Sequence, residues 1–170
     1  RIWSGEVESD GFNALVLLGG LGWRDVMVLR ACCKYLRQVG IAYSQDYMEQ
    51  TLANNPHMAR QIVELFKARF DPASKGNEKV LLNRLESELE KVKSADEDRI
   101  LRRYINVVTA MLRTNFYQTD ADGAAKPCLS FKLDSQMVEE LPLPRPLREI
   151  FVYSPRVEGI HLRFGMVARG

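Results

Sequence analysis

The spacing of apolar residues changes once along this chain, and that change limits the folds open to it. Up to about residue 117 apolar side chains recur every three or four positions, and beyond residue 128 they alternate with polar ones. A helical period cannot lie flat as a strand, nor an alternating one wind into a helix. The chain is therefore predicted to be α+β, mainly an α-helical bundle followed by a small C-terminal β-sheet or hairpin. The division falls between a helical module, residues 1–118, and a strand-rich part, residues 119–170.

Start and stop signals divide the first part into five or six helices. In SDGFNALVLLGGL, Asp10 is read as an N-cap and Gly19-Gly20 as the stop. Val26, Leu29, Cys33, Leu36 and Gly40 fall at spacings of three and four, so they share one face, and Gly40 ends that helix. Ser44 caps the next helix, which closes before Pro56. Pro56 opens another at its first turn, with Met58, Ile62, Leu65, Phe66 and Arg69 recurring until Asp71-Pro72. DPASKGN, residues 71–77, reads as a linker. Leu81, Leu85, Leu89 and Val92 then oppose Glu78, Glu86, Glu90, Lys91 and Lys93. Ser94 with Glu97 forms a capping box for a long helix predicted over 94–118. It would bury Ile100, Ile105, Val108, Leu112 and Phe116, and its wide apolar face makes it the expected central helix.

The remainder reads as about three strands. Leu129, Phe131 and Leu133 alternate with Ser130, Lys132 and Asp134. ELPLPRP is too rich in proline for an interior strand or helix and is read as an extended connector. REIFVYS and VEGIHLRFG form two strands joined by SPRVEG, giving segments 129–133, 150–153 and 160–164. Each strand is expected to offer an open edge, and open edges invite pairing with a second copy.

Composition excludes more than it selects. The net charge is +2, so no cationic field marks a nucleic-acid or membrane-surface partner. No apolar run approaches the roughly 18 residues of a membrane span. Three cysteines, two of them neighbours, make a disulfide framework an unsuitable reading; Cys32, Cys33 and Cys128 fit a reduced, cytoplasmic chain. The opening RIWSGEVESD has no initiator Met and no signal-peptide pattern. With the abrupt ending at Arg169-Gly170, it suggests a segment of a longer polypeptide.

Candidate chemistry is sparse. His57 and His161 are the two histidines and share no ligand spacing with other residues, so no metal site is expected. Asp96, Glu97 and Asp98 lie in a first helical turn, where they complement the helix dipole. DADG, residues 120–123, resembles a calcium loop without its later ligands and is read as a turn. Gly19, Gly20 and Gly22 sit between helices, so no dinucleotide fingerprint is present and no cofactor site is expected here. Arg99, Arg102 and Arg103 are placed in ion pairs with Asp96 and Asp98.

Several strings carry a resemblance. LSFKLDS, LPLPRP and EIFVYSPRVEGIHLRFGMVARG, together with DGFNALVLLGGLGWRDVMVLRACCKYLRQVG, TLANNP, LFKARFDP and DEDRILRRYINVVTAMLRTNFYQ, resemble the large bacterial NAD-specific glutamate dehydrogenases from about Asp10 to Gly170. The resemblance implies a non-catalytic helical and scaffolding segment that enters the catalytic substrate-binding domain. It implies NAD as cofactor of the parent enzyme, bound outside this segment. The implied partners are the rest of the same polypeptide and further copies in a homo-oligomer, with neither nucleic acid nor membrane. It also implies a substrate-binding role for Arg169, which with Gly170 resembles the start of a lysine-glycine-glycine element of the smaller glutamate dehydrogenases. A guanidinium there would grip a substrate carboxylate; the alternative is a solvated arginine. Two other readings stay open: a freestanding helical interaction or nucleic-acid-binding module with a β-wing, and a regulatory domain sensing an amino acid.

Overall fold

The computed structural model describes residue 3 and residues 5–166. Among them, a 3₁₀ turn, Gly11–Asn13, leads into α1 (Ala14–Leu18), α2 (Trp23–Gln38), α3 (Gln45–Asn54), α4 (Pro56–Phe70), α5 (Glu78–Leu89) and α6 (Ala95–Ala110). Four strands follow: β1 (Met111–Thr114), β2 (Leu129–Leu133), β3 (Arg148–Ser154) and β4 (Val157–Arg163). They form one antiparallel sheet in the order β1-β2-β3-β4. The α+β architecture is the one the change of period predicts.

Local chemistry sets most helix ends. The Ser44 hydroxyl accepts the Tyr47 N–H at 3.2 Å, and the Asn77 carbonyl oxygen accepts that of Val80 at 3.2 Å. Pro56 occupies the first position of α4, where its missing N–H costs nothing. Helix α2 ends on Gly40, whose φ of 94° allows a double closure. The Ile41 N–H reaches the Leu36 carbonyl at 3.0 Å, and the Gly40 N–H reaches that of Arg37 at 3.2 Å. At α6 only half of the expected box forms. Ser94 Oγ accepts from the Glu97 N–H at 3.3 Å, while the Glu97 carboxylate takes hydrogen bonds from Asn54 and Asn55.

Three readings need correction. The helix predicted over 94–118 stops at Ala110, and its next four residues pair with β2. Arg69 fixes that break: its Nη2 donates to the carbonyls of Thr109 at 3.0 Å and Met111 at 3.1 Å. The Asp134 N–H takes the Ala110 carbonyl at 2.9 Å. Partners remote in sequence thus satisfy carbonyls that a continuing helix would have used itself. A register shift between Met111 and Arg113 turns Leu112 outward, to 44% exposure. The strand count is accordingly four. Asp10, read as an N-cap, makes no cap hydrogen bond; its carboxylate grips Arg30 instead. Third, α2 rather than α6 touches every layer. It packs on α1, α3, α4, α6, β3 and β4, and ten of its sixteen residues are buried.

Aromatic rings join helices to sheet. Phe66 on α4 stacks edge-on against Phe116 at 5.2 Å and Phe131 of β2 at 6.1 Å between centroids. Phe131 meets Phe151 of β3 at 6.4 Å, and Phe151 meets Tyr35 of α2 at 5.7 Å. One continuous core therefore spans both parts.

Within that core the Arg30 side chain is fully buried, and Asp10 is 10% exposed. Nε and Nη2 of Arg30 donate to the two carboxylate oxygens at 2.5 and 2.7 Å, and Nη2 also reaches Asn13 Oδ1 at 2.9 Å. Removing one partner strands the other charge inside the protein. Asp10→Ala is expected to lower stability by about 3 kcal/mol in urea unfolding; a loss under about 1 kcal/mol would show the pair contributes no more than a surface bridge.

Candidate functional site

The sheet has two unlike faces. Leu129, Phe131 and Leu133 of β2 lie beside Tyr153, Phe151 and Glu149 of β3, and all six are buried toward the helices. The opposite face pairs Lys132 with Ile150 and Ile150 with His161, and beside them Ser130 with Val152 and Val152 with Gly159. Ile150 and Val152 are 36% and 38% exposed there. Among the described residues, strands β1 and β4 each have one ladder neighbour, so both are edges. Of the three strands expected to offer open edges, β2 and β3 are interior and β4 alone is an edge, joined by the unforeseen β1. Leu162 and Phe164 near the β4 edge are half-exposed.

Polar contacts fasten α2 to the buried face. The Tyr35 hydroxyl donates to Glu149 Oε2 at 2.5 Å, and Glu149 is only 2% exposed. Burial pushes its carboxyl above the ordinary carboxylate range, against the opposing pull of the Tyr35 hydrogen bond. Burial also pushes the Tyr35 phenol up, so it donates. Next to this pair, the Tyr153 hydroxyl donates to Glu8 Oε1 at 3.0 Å, and Lys34 of α2 meets Glu8 Oε2 at 3.3 Å. A cleft of about 800 Å³ opens nearby, with Trp23 and Met27 at the start of α2 facing Lys126, Pro155 and Arg156.

The residues singled out in the sequence do not converge. Arg169 lies outside the described residues. His57 is exposed, 3.5 Å from Glu88, and His161 stands on the outer sheet face opposite Ile150. Cys32 and Cys33 are buried on α2; burial pushes the Cys33 thiol up to about 12, and its sulfur lies 3.8 Å from that of Met48. Asp120 closes residues 120–123 as a turn, accepting the N–H groups of Asp122 and Ala124. Gly19, Gly20 and Gly22 join α1 to α2. Of the basic cluster, Arg102 pairs with Asp98, as the spacing suggests, and with Glu86. Arg99 and Arg103 reach past the local acids to Glu140, a contact that sequence distance hides. Among the described residues, no group of three or more His, Cys, Asp or Glu is arranged to hold a metal ion. No helix there is long and apolar enough to cross a membrane.

The buried charges of Arg30 and Glu149 went unremarked in the sequence although a signal for each was there. Arg30 falls four residues after Val26 and three before Cys33, on the apolar stripe of α2. Glu149 holds an inward position in the alternation that also points Phe151 and Tyr153 inward.

Comparison with known families divides the chain in two. Residues 7–72 match the glutamate dehydrogenase helical motif 3, and residues 84–170 match the catalytic domain of bacterial NAD-glutamate dehydrogenase. The chain is 49% identical to an NAD-specific glutamate dehydrogenase of Mycobacterium tuberculosis over 99% of its own length. It is 47% identical to those of Halomonas elongata and Pseudomonas aeruginosa over its whole length. It spans 11% of the length of each of these relatives.

Glu149 gives the joint between α2 and sheet a defined pH dependence. Its folded form holds a proton more tightly than the unfolded chain, so stability is lost as pH rises from about 4.3 through the folded value. In urea unfolding between pH 4 and 8, Glu149→Gln is expected to flatten that slope and so to gain on the parent as pH rises toward 8. Parallel curves for the two proteins would contradict this.

Proposed function

This chain belongs to the bacterial NAD-glutamate dehydrogenase family, and we propose that it is the non-catalytic helical and scaffolding segment of such an enzyme, leading into its catalytic domain. In this reading residues 1–118 form the helical module, whose end from residue 84 lies in the stretch matched to the catalytic domain, and residues 119–170 begin the strand-rich substrate-binding part. The whole polypeptide, a cytoplasmic homo-oligomer, oxidises L-glutamate to 2-oxoglutarate and ammonia. NAD is held by parts of the enzyme outside these residues. The observation that carries the reading is the sheet. Its inner face rests on α2, while Ile150 and Val152 on its outer face and the edges of β1 and β4 remain open. Apolar sheet positions and unpaired edges of this kind suit a neighbour supplied by the rest of the polypeptide. The helices hold the sheet in place through the aromatic contacts and the α2 joints.

The chain by itself is expected to form no NADH from glutamate and NAD, and to associate with rising concentration in sedimentation through its open strands. Turnover by these residues alone would overturn the scaffold reading. A strict monomer at high concentration would remove the open edges as its support. A salt-dependent DNA titration separates the wing-type alternative, with no binding expected at near-neutral net charge.

Arg169 takes its proposed role from the resemblance alone. In the whole enzyme, Arg169→Ala is expected to raise KM for glutamate about tenfold, the cost of one lost charge-assisted contact. An unchanged KM would dispose of that contact.

A further inference from the structure

Helix α6 turns two guanidiniums toward the connector between β2 and β3. Arg99 and Arg103 are four residues apart and share a helix face. Arg99 Nη2 donates to both carboxylate oxygens of Glu140 at 3.0 Å. Arg103 Nη2 pairs with the same carboxylate, and its Nη1 donates to Glu139 Oε2 at 2.7 Å. Arg103 is 9% exposed, and its Nε is buried without a hydrogen-bond partner. Beside these groups a cleft of about 230 Å³ opens, walled by Leu36, Ile41 and Tyr43.

Of the four groups only Arg103 is buried; Arg99 and both acids are half-exposed. The side chains of Glu139 and Glu140 are 63% and 53% exposed, so water competes for them. Glu140 has a φ of 58°, in the left-handed region that side chains other than glycine seldom adopt. The arginines sit on a regular helix, whereas the carboxylate they share rides on a left-handed residue between the buried Val138 and Leu141, next to the Glu139 N–H that Asn106 Oδ1 accepts at 2.9 Å.

We propose that the cleft beside Arg99 and Arg103 is an anion-binding site whose resting occupant is the chain's own Glu140 carboxylate. The ligand is a small oxyanion carrying two charges, either a phosphate or a dicarboxylate. Two guanidiniums offer parallel N–H groups that match planar carboxylate or phosphate oxygens. Leu36, Ile41 and Tyr43 form the side of the cleft that faces the two guanidiniums' helix. Exchange of Glu140 for a free anion frees that side chain to solvent, while Val138 and Leu141 keep the connector on the core.

The test is a titration of this chain with inorganic phosphate and, separately, succinate at fixed ionic strength, following the amide signals of Ile100 and Arg103 by NMR. The Glu139→Gln, Glu140→Gln double variant is expected to bind at least one of the two about tenfold more tightly than the parent, because the internal competitor is gone. Adding Arg99→Gln, a change at a half-exposed residue that the fold tolerates, is expected to abolish the gain. Tightening toward one probe alone identifies the ligand class, and tightening toward both identifies a site that reads charge alone. Affinity equal to or weaker than the parent's in the double variant overturns the proposal, as does a gain that survives Arg99→Gln.

Discussion

Burying the middle turns of α2 on all sides obliges the charged and hydroxyl groups there to find partners inside the protein, and all but Arg30 Nη1 do. Unpaired, a buried charge costs several kcal/mol, and α2 carries Arg30 and Tyr35 at fully buried positions. The surroundings are arranged to meet that demand. The segment before the first 3₁₀ turn brings Asp10 to Arg30 and Glu8 to Lys34 and Tyr153. Strand β3 brings Glu149 to Tyr35. The polar needs of one helix thus tie the start of the chain, the bundle and the sheet together. Apolar burial supplies the driving force, and these pairs fix which surfaces meet.

The second constraint is the junction at Ala110. A helix and a strand meet there without a loop, so the last helical carbonyls need partners at once. Arg69 from α4 and the backbone of Asp134 provide them. Arg69 also pairs with Glu78 at the start of α5, so one guanidinium orders the ends of three helices. The sheet therefore begins inside the helical core rather than beyond it. A segment built this way couples the position of its helices directly to that of its strands.

Much of the fold was legible because it is local. Ser44, Pro56 and Gly40 act within a turn of themselves, and β2 reads off its alternation from Leu129 to Leu133. What failed was set at a distance. Leu112 belongs to an apolar helical period, yet pairing with β2 pulls its segment into a strand. Asp10 has the residue type of a cap, yet a cation twenty positions away binds it. Arg99 has Asp96 within reach, yet it joins Glu140, 41 positions on. For the candidate site, the outer sheet face followed from alternation once the strands were placed, but which strands became edges did not.

By itself the sequence determined the order of the helices, the three later strands, the class of fold and the family, because period, capping and short identities are written in adjacent residues. Only the tertiary structure decided where α6 ends, that α2 lies at the centre, and which charges are buried together. Those outcomes depend on desolvation and on partners tens of residues apart, and a polar group's cost is set by what surrounds it in space rather than by what precedes it in the chain.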